Sequence, residues 1–178
     1  MPAKLAALAE LLSRHVGQDG LIADIGCGHG RDAAWMENTT RRVIGLDLSF
    51  EMLKQAQRVT QGRLAQMNMK ALGIPDRGLD GVWCCAALLH LPKSQAPLAL
   101  AEFRRILRRG GMLIVSVQEG SYEGPRFSER EGVTRYFSDY QPAELAASLA
   151  GNDFVVTAQA SDRVGPSTWL QTVCLAQE

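Results

Sequence analysis

The residues with the clearest chemical potential are an aspartate and three alternating glycines within LIADIGCGHG, residues 21–30. Asp24, Gly26, Gly28 and Gly30 follow an apolar run, which predicts a buried strand that turns sharply into a helix. A turn without Cβ atoms can adopt positive φ and can let a ligand lie directly against the backbone. The pattern therefore predicts a site for a nucleotide-like ligand, with Asp24 beside it.

A second carboxylate follows at the end of the next apolar run, RVIGLDL, where Asp47 stands. A carboxylate at the tip of a second strand is placed to accept hydrogen bonds from ribose hydroxyls. A nicotinamide dinucleotide would also use such a carboxylate, but its fingerprint needs a third glycine where this chain has Arg31. The pattern disfavours a nicotinamide-dependent oxidoreductase, which stays as a minor alternative.

Several motifs in the expected order resemble those of class I S-adenosylmethionine-dependent methyltransferases, of the methyltransferase type 11 group. They are the D-x-G-x-G-x-G turn, the segment GLDLSFEML and the segment EFRRILRRGGMLIV, and together they cover about residues 21–117. The resemblance implies S-adenosylmethionine as cofactor and S-adenosylhomocysteine as product. It implies a cofactor site made of Asp24, Gly26, Cys27, Gly28, Gly30, Asp47, Leu48, Asn68, Met69 and Ala86.

One of these positions departs from the family pattern. The third motif of the family has an acidic residue near the adenine, and this chain has Asn68 there. An amide oxygen can still accept a hydrogen bond from the adenine amino group, but the charge-assisted part of that bond is lost.

The order of the elements predicts an α/β fold, a Rossmann-like doubly wound sheet with helices on both faces. Strand–helix pairs are expected over residues 21–117, then a helix over 141–150 and two strands over 153–160 and 168–176. The resemblance implies seven strands in the order 3-2-1-4-5-7-6, with the last strand antiparallel. We expect the helix before the fifth strand to be stopped by Gly110 and Gly111.

The length of 178 residues fits a single domain over residues 1–178, beginning with an amphipathic helix over 1–16. Positive and negative residues balance at 19 each, which argues against a nucleic-acid partner, although Arg104, Arg105, Arg108 and Arg109 are close in sequence. No segment is typical of a membrane span. The four cysteines lack metal-ligand spacing, and Cys84 and Cys85 should point to opposite faces of one strand. We expect a cytoplasmic protein with reduced thiols and no metal. The sequence does not predict the oligomeric state.

The segment 118–140 is rich in charge and aromatic residues and poor in regular apolar spacing, which predicts a substrate lid loop. Its short length favours a small-molecule acceptor. Methyl transfer needs a base only if the acceptor arrives protonated, and His90, at the end of the fourth strand, is the first candidate. Glu119 and Tyr136 are the next candidates. The predicted function is S-adenosylmethionine-dependent methyl transfer, with a catalytically silent cofactor-binding subunit as the alternative.

Overall fold

A computed structural model describes residues 3–39, 42–128 and 132–177. Its first half contains α1 (Ala3–Val16), β1 (Leu21–Ile25), α2 (Arg31–Met36), β2 (Arg42–Asp47), α3 (Phe50–Ala56), β3 (Arg63–Gln66) and β4 (Leu79–Cys85). A 3-10 turn (Leu88–His90), α4 (Ala96–Ile106) and β5 (Leu107–Gln118) follow. The last part contains β6 (Glu123–Ser128), β7 (Val133–Ser138), α5 (Pro142–Ala150), β8 (Phe154–Val164) and β9 (Ser167–Ala176).

Seven of these strands form one sheet in the order β3-β2-β1-β4-β5-β9-β8. Strands β1 to β5 are parallel, and β9 runs antiparallel to both β5 and β8. The order 3-2-1-4-5-7-6 with an antiparallel last strand is therefore confirmed, because β8 and β9 are the sixth and seventh strands of this sheet.

Helices cover both faces of the sheet. Ala99, Leu100 and Phe103 of α4 pack with Leu145 and Leu149 of α5 on one face, against residues such as Ile25, Cys84 and Val115. On the other face Leu12 of α1 and Met36 of α2 pack against Ile22, Trp83 and Ile114. Because successive strand residues alternate between faces, Cys84 and Cys85 contact opposite clusters, as the sequence predicts.

Two local predictions are wrong. The helix before β5 ends at Ile106, and β5 begins at Leu107, so Gly110 and Gly111 lie inside the strand and do not stop the helix. The segment 118–140 is not a loop throughout, since β6 and β7 pair within it as an antiparallel two-stranded sheet, and its role as a substrate lid stays a prediction. We call these two paired strands, residues 123–128 and 133–138, the hairpin below. None of the helices in the described part of the chain is both long and apolar enough to cross a lipid bilayer.

Candidate active site

The glycine turn after β1 is fastened to the end of β2 by main-chain hydrogen bonds. The N–H groups of Gly26 and Cys27 both donate to the carbonyl of Leu46, at 2.7 and 3.0 Å. The N–H of Gly28 donates to Oδ2 of Asp47 at 2.8 Å, and the other oxygen of Asp47 accepts from the N–H of Ser49 at 2.8 Å. Asp47 therefore fixes the turn, and each of its oxygens keeps a second lone pair for a ligand.

The three glycines of the turn have different surroundings. A Cβ at Gly26 would lie 2.3 Å from Cβ of Ala87, and one at Gly30 would lie 2.9 Å from Cβ of Ala56. Both positions need glycine for close packing of the chain on itself. A Cβ at Gly28 would meet no atom within 4 Å, and the φ of 55° there is left-handed. Gly28 alone of the three leaves its backbone open for a ligand.

Asp24, near the end of β1, is a buried carboxylate with one oxygen that lacks a partner. Its exposed fraction is 2%, and its Oδ2 atom forms no hydrogen bond within the described residues. Burial raises the pKa of Asp24 well above its ordinary value, and the negative charge of neighbouring Asp32 raises that pKa further. A cationic group of a ligand would offset both effects.

Asp32 is a site residue that the sequence did not indicate. It is buried in the first turn of α2, where Oδ1 accepts from Nε of Arg31 at 2.6 Å and Oδ2 accepts from the indole N–H of Trp83 at 3.1 Å. Since Asp32 already has two donors, Asp24 is the carboxylate of this pair that a ligand can satisfy. The sequence shows Asp32 only as an acidic residue in the first turn of a helix, a pattern that is too common to indicate a site.

The residues expected around an adenine ring follow β2 and β3. Leu48 is 66% exposed, and its carbonyl accepts from the side-chain amide of Gln66 at 2.9 Å. Asn68 is exposed, and its Oδ1 accepts from the N–H of Lys70 at 3.0 Å, which leaves one lone pair on that oxygen. Met69 is partly buried against the core. Leu48 and Asn68 follow strand ends at the same edge as Asp47, where an adenine could reach them.

Ala86 lies just beyond β4 with a φ of 55°, a conformation that costs a residue with a Cβ about 1–2 kcal/mol. Its N–H donates to the carbonyl of Ser116 at 2.9 Å, and the next residue, Ala87, is the one that packs on Gly26. Strained backbone of this kind is concentrated at functional sites. The bend places the chain after β4 against the glycine turn.

His90 lies on the 3-10 turn that follows β4, rather than on the end of the strand itself. Its Nδ1 is 2.9 Å from the carbonyl of Tyr136 in the hairpin, and its ring packs edge-on against Phe137 with centroids 4.7 Å apart. Because a carbonyl can only accept, Nδ1 carries the proton, and a neutral ring then has its lone pair on Nε2. The hairpin therefore fixes the ring of His90, and its role as a base stays a prediction.

The two other catalytic candidates differ in their placement. Glu119 follows β5 and pairs with Tyr140, and its Oε2 is buried without a hydrogen-bond partner among the described residues. The Tyr136 hydroxyl donates to Glu123 at 3.2 Å, on the hairpin face opposite to Phe137. Partial desolvation and that hydrogen bond raise the pKa of Tyr136, which opposes a role as a base.

Arg126 and Asp139 are further residues that the sequence did not single out. Arg126 donates to Oε1 of Gln118 at 2.6 Å and to Oδ2 of Asp139 at 2.5 Å, and its guanidinium lies over the ring of Tyr122, 4.2 Å from the centroid. These contacts tie the hairpin to the end of β5. Asp139 comes from the far end of the segment, so sequence alone gives no sign of the pair.

The four cysteines are free thiols, and two of the clustered arginines form ion pairs. Burial raises the pKa of all four thiols to about 12, so none supplies a thiolate at neutral pH. No group of three potential metal ligands occurs within the described residues. Arg105 pairs with Glu102 and Asp76, and Arg108 pairs with Asp80.

Comparison with known proteins adds the family context. The family model described as Methyltransferase domain matches residues 23–115, more than half of the chain. Malonyl-[acyl-carrier protein] O-methyltransferases of Hamiltonella defensa and Yersinia pestis are 32% and 31% identical over 53% and 77% of this chain. The chain covers only 36% and 51% of their lengths.

A solved structure with a similar fold is the 1,6-didemethyltoxoflavin-N1-methyltransferase of Burkholderia thailandensis, which holds 1,6-didemethyltoxoflavin and S-adenosylhomocysteine. Its TM-score is 0.80 at 22% sequence identity, and the match covers 99% of this chain and 79% of that one. At this identity the likeness concerns the fold.

Proposed function

Since the chain belongs to the Methyltransferase domain family, we propose that it binds S-adenosylmethionine and transfers the methyl group to a small-molecule acceptor. The observation that carries the proposal is Asp24, a buried carboxylate with an unpartnered oxygen beside a glycine turn whose middle glycine faces open space. An ammonium group on a nucleoside-like ligand fits both features. The cofactor contains such a group.

The proposed cofactor contacts follow from the donors and acceptors at the sheet edge. Asp24 would accept from the ammonium group, and Asp47 would accept from the ribose hydroxyls with its remaining lone pairs. Leu48 and Met69 would lie against the adenine, with Asn68 accepting from its amino group. The backbone of the turn and of the bend after β4 would complete the site, through Gly26, Cys27, Gly28, Gly30 and Ala86.

The bound cofactor supplies a methyl group on a positively charged sulfur. The protein has to align an acceptor with that carbon and exclude water, which accounts for much of the rate in a displacement of this kind. His90 is proposed as the base for an acceptor that arrives protonated, and Glu119 and Tyr136 are weaker candidates. The His90→Ala variant should lose activity most at low pH, and an equal loss at every pH would assign His90 to packing.

A small acceptor is supported by the compact hairpin, the one inserted element between β5 and α5 in the described chain. It is also supported by similar proteins, whose names refer to small acceptor groups: a malonyl group on a carrier protein and 1,6-didemethyltoxoflavin. A balanced charge of 19 basic and 19 acidic residues gives no general attraction to polyanions.

The binding test is calorimetric titration with S-adenosylhomocysteine and, separately, with NAD. Asp47→Ala should weaken S-adenosylhomocysteine by about 2–3 kcal/mol, since hydrogen bonds to charged groups contribute about 1.5–3 kcal/mol each. Asp162→Ala is the matched control, because Asp162 pairs with Lys4 on the surface at 2.6 Å. Unchanged affinity in Asp47→Ala, or preferential binding of NAD, contradicts the proposal.

The turnover test is transfer of labelled methyl groups from S-adenosylmethionine to a panel of small acids, amines and phenols. Transfer to a panel member supports an enzyme. Tight cofactor binding with no transfer to any member would favour the silent binding subunit instead.

A further inference from the structure

A cavity of about 360 Å³ lies at the edge of the sheet opposite to the candidate active site. One wall precedes β4, a second belongs to α4 and a third precedes β8. Strands β4 and β8 run in the same direction, and the first and third walls each lie at the amino end of the strand that follows. The lining residues are Asp76, Arg77, Ala101, Arg104, Arg105, Gly151, Asn152 and Asp153.

The charged groups of this cavity are unevenly paired. Arg105 is neutralised by Asp76 and Glu102, both at 2.7 Å. Arg77 forms no side-chain hydrogen bond or ion pair with the described residues. Arg104 uses one terminal nitrogen, which donates to the carbonyl of Gln177, and its Nε is buried without a partner. Two guanidinium groups with unused donors therefore line one cavity.

Backbone strain adds an independent observation. Arg77 and Asp153 have left-handed φ values of 55° and 59°, where glycine would be less strained. The N–H of Arg77 donates to the carbonyl of Arg105 at 2.8 Å, and the carbonyl of Asp153 accepts from Gln177 at 2.9 Å. Both strained residues are thus held in place at the cavity, with a charged side chain where glycine would fold more easily. Strain of this kind is concentrated at ligand sites.

We propose that this cavity binds a small anion, a phosphate or carboxylate group, through Arg77 and Arg104. Planar guanidinium groups match the oxygen geometry of both anions. Asp153 lies on the same cavity, and its negative charge opposes the anion and limits the affinity. The site is independent of the methyl-transfer proposal, because none of its residues belongs to the glycine turn or the hairpin.

The experiment measures the Tm of the full chain against inorganic phosphate and, in a second arm, against succinate. The variants are Arg77→Gly and Asp153→Gly, and Arg109→Ala is the control, since Arg109 is exposed, has the same charge as Arg77 and lies outside the cavity. Both glycine variants relieve left-handed strain, so both should raise the Tm without ligand. Arg77→Gly should weaken anion binding by about tenfold or more, whereas Asp153→Gly should strengthen it.

Arg77→Gly and Asp153→Gly relieve the same kind of backbone strain but should have opposite effects on anion binding. The pair therefore separates effects on binding from effects on folding. Stronger stabilisation by phosphate than by succinate identifies a phosphate site, and the reverse identifies a carboxylate site. The proposal is overturned if neither anion raises the Tm at tens of millimolar, or if Arg77→Gly and Arg109→Ala reduce anion binding equally. Titration with S-adenosylhomocysteine on the same variants should give unchanged affinity.

Discussion

The glycine turn and the hairpin flank the candidate active site and are held in different ways. The turn is fixed by main-chain donors, those of Gly26 and Cys27 to the carbonyl of Leu46 and that of Gly28 to Asp47. The hairpin is tied down largely by side chains, through Arg126 to Gln118 and Asp139 and through the Ser138 hydroxyl to the carbonyl of Leu91 at 2.7 Å.

The difference extends to unsatisfied polar groups. Among the described residues, three buried side-chain atoms without partners lie where the hairpin joins the domain, against one, Oδ2 of Asp24, beside the turn; the three are Oε2 of Glu119, Oδ1 of Asp139 and the hydroxyl of Tyr140. Leaving such an atom unpaired costs about 1–3 kcal/mol. The turn is therefore the better satisfied of the two regions, and we expect the hairpin to open at a lower free-energy cost than the turn.

The largest effect is expected at the turn, from Gly26→Ala. The added methyl group meets Cβ of Ala87 at 2.3 Å in a left-handed backbone, so overpacking and strain should together cost about 2–5 kcal/mol of folding free energy. Gly28→Ala is the matched control, with strain of about 1–2 kcal/mol and no clash. Chemical denaturation measures both costs.

Cofactor binding distinguishes Gly28→Ala from a purely structural change. The Cβ of Gly28→Ala would occupy the space assigned to the cofactor. This variant should therefore remain folded but lose S-adenosylhomocysteine binding in calorimetry. Full affinity in Gly28→Ala would mean that the cofactor does not lie against the turn.

The next effect is expected at the hairpin, from Arg126→Ala. The change removes two charge-assisted hydrogen bonds, which the partial exposure of Arg126 weakens to about 1–3 kcal/mol together, and leaves Asp139 without its cation. Hydrogen exchange should speed up across residues 123–128 and 133–138, and turnover of an acceptor should fall about tenfold or more. Phe127→Ala, at a side chain that is 65% exposed, is the control. Loss of cofactor affinity in Arg126→Ala would contradict the division into two regions.

The turn could be predicted from the sequence, whereas the hairpin could not. Near the turn, the decisive residues are adjacent in the chain, and apolar runs that end in Asp24 and Asp47 at matching strand ends suffice to predict the sheet edge. The hairpin depends on Arg126 and Asp139, which are far apart in sequence, and its strands TRYF and GPRF lack a clear apolar alternation. Long-range pairs of this kind carry no local pattern.

The end of α4 is a second case. The segment RRILRRGG has helix-ending glycines, but Leu107 is buried in the sheet and Arg108 pairs with Asp80 at 2.6 Å. Asp80 also accepts from the N–H of Leu21 at 2.8 Å. These tertiary contacts outweigh the local glycine signal and start the strand early.

A smaller effect is the pH dependence of cofactor binding at Asp24. The pKa of Asp24 is raised by folding, so between its unfolded value of about 3.9 and its folded value the folded state binds the extra proton. Stability of the cofactor-free protein should fall as pH rises through that window. A ligand ammonium favours the ionised carboxylate, so S-adenosylhomocysteine should bind more tightly as pH rises and should release a proton.

Calorimetry in two buffers of different protonation enthalpy measures that release. Asp24→Asn should abolish it and flatten the pH dependence. Equal proton release by Asp24→Asn and the unchanged protein would show that another group titrates.

The smallest effect is expected from Asn68→Asp, at the adenine end of the turn region. The Oδ1 atom of Asn68 already accepts from the N–H of Lys70 at 3.0 Å, a contact that a carboxylate keeps and strengthens. The second oxygen would then be a charged acceptor for the adenine amino group in place of an amide N–H donor. Because the side chain is exposed, the gain should be modest, about 0.5–1.5 kcal/mol or a few-fold to about tenfold tighter S-adenosylhomocysteine binding. Lys70→Ala is the control, because it keeps the main-chain N–H that donates to residue 68 and should leave the affinity unchanged. Markedly weaker binding in Asn68→Asp would show that the amide N–H, rather than the oxygen, faces the ligand.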